Sequence, residues 1–145
     1  MMSDRTYWLS LLNPTTWQEF LDAGAEVVGF PETRQKTVRR IQPGDYLLAY
    51  LTGVSRWIAV LEVVDEPYDS IKPIWKQALF PCRVNVKAIA QVNPDDGIPA
   101  LDLAPQLKMF ESLKTPQWGL LFRIAPKELP PEDGAIIADA IQKAS

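Results

Sequence analysis

A cluster of basic residues stands out in a chain that is acidic overall. Between positions 34 and 40, four of seven residues are basic, whereas the formal net charge of the chain is −3. These residues are Arg34, Lys36, Arg39 and Arg40. Basic side chains at this density can contact nucleic-acid phosphates and supply affinity without sequence preference. The same pattern is also typical of a solvated helix face, and the sequence leaves both interpretations open.

Two aromatic residues could offer a surface for a flat heterocycle. Trp75 follows Pro73 in a proline-punctuated loop, and Phe80 comes five residues later, where the next strand is predicted to begin. Aromatic side chains hold nucleobases by stacking, at about 1–3 kcal/mol per base. The alternative is that Trp75 only closes one end of the folded core.

Three polar residues lie where the first strand gives way to the first helix. Asn13 stands before a proline, which is typical of a helix N-cap, and Thr15 with Gln18 or Thr16 with Glu19 could form a capping box. Side chains that both donate and accept hydrogen bonds could instead contact the edge of a flipped-out base. The sequence therefore predicts a helix start here and leaves a binding role open.

The chain is poor in the residues that catalysis and metal binding require. It has no histidine and one cysteine, Cys82, which excludes Ser-His and Cys-His nucleophile pairs and an ordinary zinc site. Neither GxxxxGK[ST] nor GxGxxG occurs. The adjacent acids Asp95 and Asp96 are explained by a turn. We therefore predict a protein that is not an enzyme and binds no metal or cofactor.

The number of cysteines and the N-terminal residues indicate the cellular compartment. A single cysteine fits a reducing compartment, and the start "MMSDRTYW" shows no charged segment followed by an apolar one. No apolar run has the length needed to span a bilayer. We expect a cytoplasmic protein without a membrane partner, folded as one domain over residues 1–145.

The hydrophobic pattern predicts the elements that must position these residues. Apolar runs without alternation predict buried strands at 46–51 and 56–65, and the alternation in "RVNVKA" predicts a half-buried strand with Arg83 facing away from Val84. The remaining predictions are strands at 6–11, 26–30 and 118–124 and helices at 14–23, 32–41, 103–113 and 130–144. This order predicts an α+β fold, with five or six strands in a mixed, mostly antiparallel sheet that closes into a small barrel with helices outside.

Four segments and a closing helix resemble those of a known family. The segments are "YWLSLLNPTTWQEFLDAGAEVVGF", "RRIQPGDYLLAYLTG", "AVLEVVDEPYDS" and "FPCRVNVKA", followed by "ELPPEDGAII". In order and spacing they resemble the EVE domain, and most of all the small, free-standing EVE-type proteins of archaea and bacteria. The resemblance runs over about 6–143. It implies a PUA-like barrel related to the YTH domains that bind methylated adenine in RNA.

The resemblance also implies a binding pocket without catalysis. A cage tryptophan is expected at Trp75 and a second aromatic residue at Phe80. Polar contacts to the base are expected from Asn13 and Thr16. The other cage tryptophan of the YTH family usually falls at the end of the second strand, where this chain has Val28, Gly29 and Phe30. Either Phe30 takes its place or the cage is open on one side.

Together these features predict a non-enzymatic nucleic-acid-binding module that recognises a modified cytosine or adenine in DNA or RNA. The base would lie between Trp75 and Phe80, and the basic cluster would hold the flanking phosphates at the pocket mouth. The alternative is a sensor of a free nucleoside, nucleotide or similar planar metabolite. A separate effector, for example a nuclease, is expected to act on what is bound.

Overall fold

The central strands of the sheet are buried on both faces, which explains why their sequences show no alternation. In the computed structural model, which describes residues 5–111 and 121–145, β3 spans Tyr46–Leu51 and β4 spans Arg56–Val63. Leu47 belongs to one apolar cluster, here called the inner core, whereas Leu48 belongs to a second cluster, here called the outer core. Both side chains are 0% exposed. Each face of β3 therefore packs against a core of its own.

Within residues 5–111 and 121–145 the sheet has eight strands, six of which form a continuous path. The other six strands are β1 (Tyr7–Leu12), β2 (Val27–Phe30), β5 (Tyr68–Asp69), β6 (Cys82–Gln91), β7 (Ile98–Pro99) and β8 (Lys127–Leu129). The path runs β2-β6-β4-β3-β1-β8, with β5 paired to β6 and β7 paired to β4. Only the β1–β3 pairing is parallel among the pairs described.

The predicted α+β class and the mixed, mostly antiparallel sheet are confirmed, with two differences. The described sheet is a curled half-barrel whose path ends at β2 and β8, rather than the closed barrel of five or six strands. The predicted strand at 118–124 is also not found as such. Residues 118–120 lie outside the described residues, and 121–124 form a turn of 3-10 helix and a bend. The last strand is β8, which pairs antiparallel with β1.

Helices cover the two faces of the sheet. They are α1 (Pro14–Asp22), α2 (Gln35–Val38), α3 (Ala100–Leu103) and α4 (Pro131–Ala144), with short 3-10 segments at Glu32–Arg34, Pro94–Asp96, Ala104–Gln106 and Lys108–Phe110. From α1, Trp17 and Phe20 enter the inner core, and from α4, Ile137 and Ile141 enter the outer one. In the described part of the chain, no helix is both long enough and apolar enough to cross a membrane.

The Pro-Gly-Asp turn joins the starts of β1 and β3. The Asp45 side chain is 5% exposed. Its Oδ1 accepts a hydrogen bond from the Thr6 amide at 3.1 Å, and its Oδ2 accepts from the Trp8 indole and the Gln42 amide, each at 3.0 Å. A buried carboxylate is stable only when its oxygens are paired in this way. The motif therefore fixes the parallel register on which the inner core depends.

Candidate functional site

One cavity lies between the start of α1, strand β2 and the loop 70–81 that leads from β5 to β6. Its volume is about 320 Å³, which is sufficient for a small planar ligand. All seven pocket residues expected from the sequence line it, namely Asn13, Thr16, Val28, Gly29, Phe30, Trp75 and Phe80. The structure thus brings together residues that are up to 67 positions apart in the chain.

Arg83 fixes the loop that carries Trp75. It is 1% exposed, and its Nε donates a hydrogen bond to the Phe80 carbonyl at 3.2 Å. Its two terminal nitrogens donate to the Ser70 hydroxyl and the Leu79 carbonyl, both at 3.2 Å, and to the Lys72 carbonyl. A planar guanidinium suits such convergence on several acceptors. One side chain therefore ties together both ends of the loop.

Arg83 also covers one face of the Trp75 indole. Its Cζ lies 5.2 Å from the ring centroid, and Arg83 is not part of the cavity lining. Burial lowers the pKa of the Arg83 guanidinium, and the nearby Tyr68 hydroxyl acts in the opposite direction. An arginine remains charged at neutral pH all the same. The sequence alternation assigned this residue to the exposed face of its strand, and that prediction was wrong.

Helix α1 holds the same loop from the other side. The Asn13 Nδ2 donates to the Gln77 side-chain oxygen at 3.0 Å, and the Glu19 Oε2 accepts from the Lys76 amide at 3.0 Å. Residues 76 and 77 directly follow Trp75. The indole is therefore held in place before any ligand arrives, and preorganisation of this kind reduces the entropy cost of binding.

The expected capping role of Asn13 is present together with its position in the cavity. Its Oδ1 accepts from the Thr16 amide at 2.8 Å, and the Thr16 hydroxyl accepts from the Asn13 amide at 2.9 Å. The capping box thus joins these two residues, rather than Thr15 to Gln18 or Thr16 to Glu19. One N–H of the Asn13 amide group remains beyond the bond to Gln77.

The two aromatic rings do not sandwich a base. The Trp75 and Phe80 rings meet edge to face, with centroids 5.6 Å apart and planes at 78°. A base between parallel rings would require them about 7 Å apart, because carbon atoms in contact are separated by about 3.5–4.0 Å. A heterocycle in this cavity would therefore not lie between these two rings, and it cannot reach the indole face that Arg83 covers.

Strand β2 passes so close to the indole that only glycine fits at position 29. A Cβ there would lie 2.6 Å from both Cη2 and Cζ3 of Trp75 and 2.8 Å from the Cβ of Phe80. The flanking Val28 and Phe30 are 4% and 3% exposed, and both line the cavity. At the place where the resemblance to YTH domains implies a second cage tryptophan, this chain has Val28 and a strand that lies close to the indole.

The basic cluster does not gather at the cavity. Arg39 lies 4.0 Å from Asp69, and Arg40 forms an ion pair with Glu128. Arg34 comes nearest to the rim, because its Nη2 donates to the Pro126 carbonyl at 2.9 Å, next to the lining residue Ala125. The exposed Lys36 is in no ion pair with a described residue.

Sequence reasoning missed three polar residues of the lining, Thr52, Gln77 and Arg123. Arg123 is exposed and lines the cavity; its apolar neighbours had suggested a strand. Gln77 lines the cavity beside Trp75, and its position directly after a loop tryptophan was the available signal. Within residues 5–111 and 121–145, no group of three or more potential metal ligands is found.

Comparison with known proteins places the chain in a family. A family model described as "EVE domain" matches residues 6–140. The chain belongs to the EVE domain family. A UPF0310 protein of Pyrococcus abyssi is 30% identical over an alignment 145 positions long, which covers 91% of this chain and 96% of that protein.

Solved structures of YTH domains share the fold. The Pho92 YTH domain in complex with m6A has a TM-score of 0.68 at 12% identity, with 98% of this chain and 86% of that chain covered. A complex of the YTH domain-containing protein mmi1 with RNA has a TM-score of 0.66 at 13% identity, with 97% and 83% covered. At these identities the likeness establishes the fold alone. The expected similarity in fold between this EVE domain and YTH domains is confirmed.

Proposed function

We propose that this EVE domain is a non-enzymatic nucleic-acid-binding module that takes one modified base into the cavity beside Trp75. The observation that carries the proposal is an indole held by Arg83 on one face and lining a cavity of about 320 Å³. The Pho92 and mmi1 YTH domains, solved with m6A and with RNA, support the ligand class. The target is DNA or RNA that carries an altered cytosine or adenine.

A methyl group on the base would add affinity through the apolar walls. Phe20, Val28 and Phe30 are all buried and line the cavity. Burial of one carbon contributes about 0.8 kcal/mol, which corresponds to about fourfold in affinity. Discrimination between a methylated and a plain base should therefore be modest, about fourfold to tenfold. The polar edge of the base would meet Asn13 and Gln77.

Phosphates beside an inserted base would be held by cations at the rim. Arg123 lines the cavity, and the exposed Lys76 lies between two lining residues, Trp75 and Gln77. Arg34 is next along the rim through its bond to Pro126. Lys36, Arg39 and Arg40 remain candidates for more distant phosphates. A separate effector, such as a nuclease, would act on the bound nucleic acid.

A titration of labelled oligonucleotides tests the proposal. Single- and double-stranded probes would carry N6-methyladenine, 5-methylcytosine or the plain base. Loss of one stacking contact costs about 1–3 kcal/mol, so Trp75→Ala should weaken binding about fivefold to 150-fold. Ile71→Ala is the matched control, because this residue of the same loop is 82% exposed and does not line the cavity. Binding of every probe by Trp75→Ala as by the wild type would refute the assignment.

A second candidate is a sensor of a free nucleoside, nucleotide or similar planar metabolite. One observation favours it: Arg39 and Arg40 lie beside Asp69 and Glu128, which partly neutralise the basic cluster. Charge reversal at Arg39 and Arg40 separates the two functions. A nucleic-acid reader should lose affinity and salt dependence, whereas a nucleoside sensor should keep its affinity.

A further inference from the structure

The described lining of the cavity carries positive charge and no carboxylate. Arg123 is the one charged side chain in the described lining. Arg83 lies behind the indole, and no carboxylate oxygen in the described part of the chain lies within 4.0 Å of its guanidinium. Its hydrogen-bond partners are carbonyls and a hydroxyl, which carry no net charge. The indole is thus backed by an unpaired, buried cation.

The backing cation changes what the free face of Trp75 can bind. An isolated indole face attracts cations through its quadrupole. Here one face already carries a guanidinium, at 5.2 Å from the centroid. A ring stacked on the opposite face at about 3.5–4.0 Å would lie about 9 Å from the Arg83 charge. Two positive charges at that distance repel each other, and low exposure limits the screening by salt.

Glu19 is an acid that contacts the loop, and it forms no ion pair with Arg83. Its Oε2 accepts from the Lys76 amide, yet Glu19 neither lines the cavity nor lies within ion-pair distance of Arg83. A positively charged heterocycle in the cavity would meet Arg123 at the lining and Arg83 behind the indole. No described carboxylate of the lining would balance its charge.

We propose that Arg83, acting through the indole of Trp75, makes this site select neutral modified heterocycles over cationic ones. The inference rests on the proposed function and deepens it, because it excludes from the ligands those bases that methylation turns into cations. At an effective dielectric constant of about 20, the repulsion at about 9 Å corresponds to roughly twentyfold in affinity, and partial screening reduces this to about tenfold. Arg83 is thereby both a positioning residue and a determinant of ligand charge.

The test compares isomers that differ in charge at neutral pH. N6-methyladenine and 5-methylcytosine are neutral, whereas 1-methyladenine and 3-methylcytosine are cations; each is placed in the same short oligonucleotide. Wild-type protein should bind each neutral isomer about tenfold more tightly. Arg83→Lys keeps the charge and loses hydrogen bonds, so affinity should fall for both isomers while their ratio stays. Arg83→Gln removes the charge, and the ratio should fall at least threefold.

The ratio is a measurement that a purely structural role of Arg83 would not change. Glu19→Gln is the matched control, because it changes a charge at another contact of the same loop and should leave the neutral isomers preferred. Equal binding of the isomers by the wild type, or the same ratio in Arg83→Gln, would overturn the inference and leave base binding intact. If no probe binds, the proposed function falls with it. If Arg83→Gln does not fold, the wild-type ratio is measured as pH rises: it should fall as the cationic isomers lose their proton, and a constant ratio would overturn the inference.

Discussion

Replacing Gly29 with alanine should displace Trp75, and the effect can be worked out from the structure. The new Cβ would lie 2.6 Å from Cη2 and Cζ3 of the indole, whereas carbon atoms pack at about 3.5–4.0 Å. The indole or strand β2 must therefore move by about 1 Å. The indole is held by Arg83 and the loop by α1, so neither side yields freely. Overpacking of this kind costs about 1–3 kcal/mol.

A double-mutant cycle isolates the clash from the other effects of the substitution. Phenylalanine at position 75 lacks the part of the indole that reaches Gly29. Trp75→Phe alone should cost about 2 kcal/mol through the cavity that it leaves. The double mutant that carries both Trp75→Phe and Gly29→Ala should lose less stability than the two single mutants lose together. The difference should be about 1–2 kcal/mol, because the new methyl group occupies part of the space that the smaller ring leaves.

Urea unfolding followed by circular dichroism measures all four proteins of the cycle. Circular dichroism is preferred to fluorescence because one of the changes removes a tryptophan. As a control, Gly29→Ala combined with Trp57→Phe should show additive costs, since Trp57 lies in the outer core on the other face of the sheet. Additive costs for the pair at 29 and 75, or a cost of Gly29→Ala below 0.5 kcal/mol, would refute the contact geometry.

Three further predictions concern the rest of the fold. Asp45→Ala should lower the free energy of unfolding by about 3 kcal/mol, because three donors lose their acceptor; a loss below 1 kcal/mol in urea unfolding would contradict the role of the turn. Burial raises the pKa of the Cys82 thiol. Above the ordinary thiol range the unfolded chain therefore loses a proton that the folded protein keeps. The contribution of this thiol to the free energy of unfolding should fall as pH rises through that range. Cys82→Ala should reduce that fall in pH-dependent unfolding, and an unchanged slope would contradict it. Arg40→Gln should cost less than about 1 kcal/mol, because both partners of its pair with Glu128 are more than 45% exposed, and a larger loss in the same assay would contradict this.

The prediction of secondary structure was most accurate for strands that are buried on both faces and for a helix with a clear N-cap. Strands β3 and β4 were located from unbroken apolar runs, and the structure buries both of their faces. Helix α1 was found from its capping asparagine and its apolar spacing. Strand β8 was missed because it has three residues, two of them charged, at the edge of the sheet. Its pairing with β1 gives it an extended form that local pattern does not encode.

The position of the cavity could be predicted from the resemblance, whereas its geometry could not. The seven expected residues share one lining, because segments that match those of a family occupy the same places in its fold. The edge-to-face meeting of Trp75 and Phe80 depends on ring rotation, and neither spacing nor composition specifies that rotation. The placement of Arg39 and Arg40 likewise depends on acids 30 and 88 positions away in the chain.

The sequence by itself determined the class of fold, the main elements, the loop that carries the tryptophan and the lack of histidine chemistry. These properties follow from local periodicity, capping and composition, which act over a few residues. Tertiary structure alone decided that Arg83 is buried behind the indole and that two residues of the basic cluster, Arg39 and Arg40, lie beside acids. Both outcomes depend on contacts between distant segments, and a charge has no fixed role until the folded chain sets its neighbours and its exposure to water.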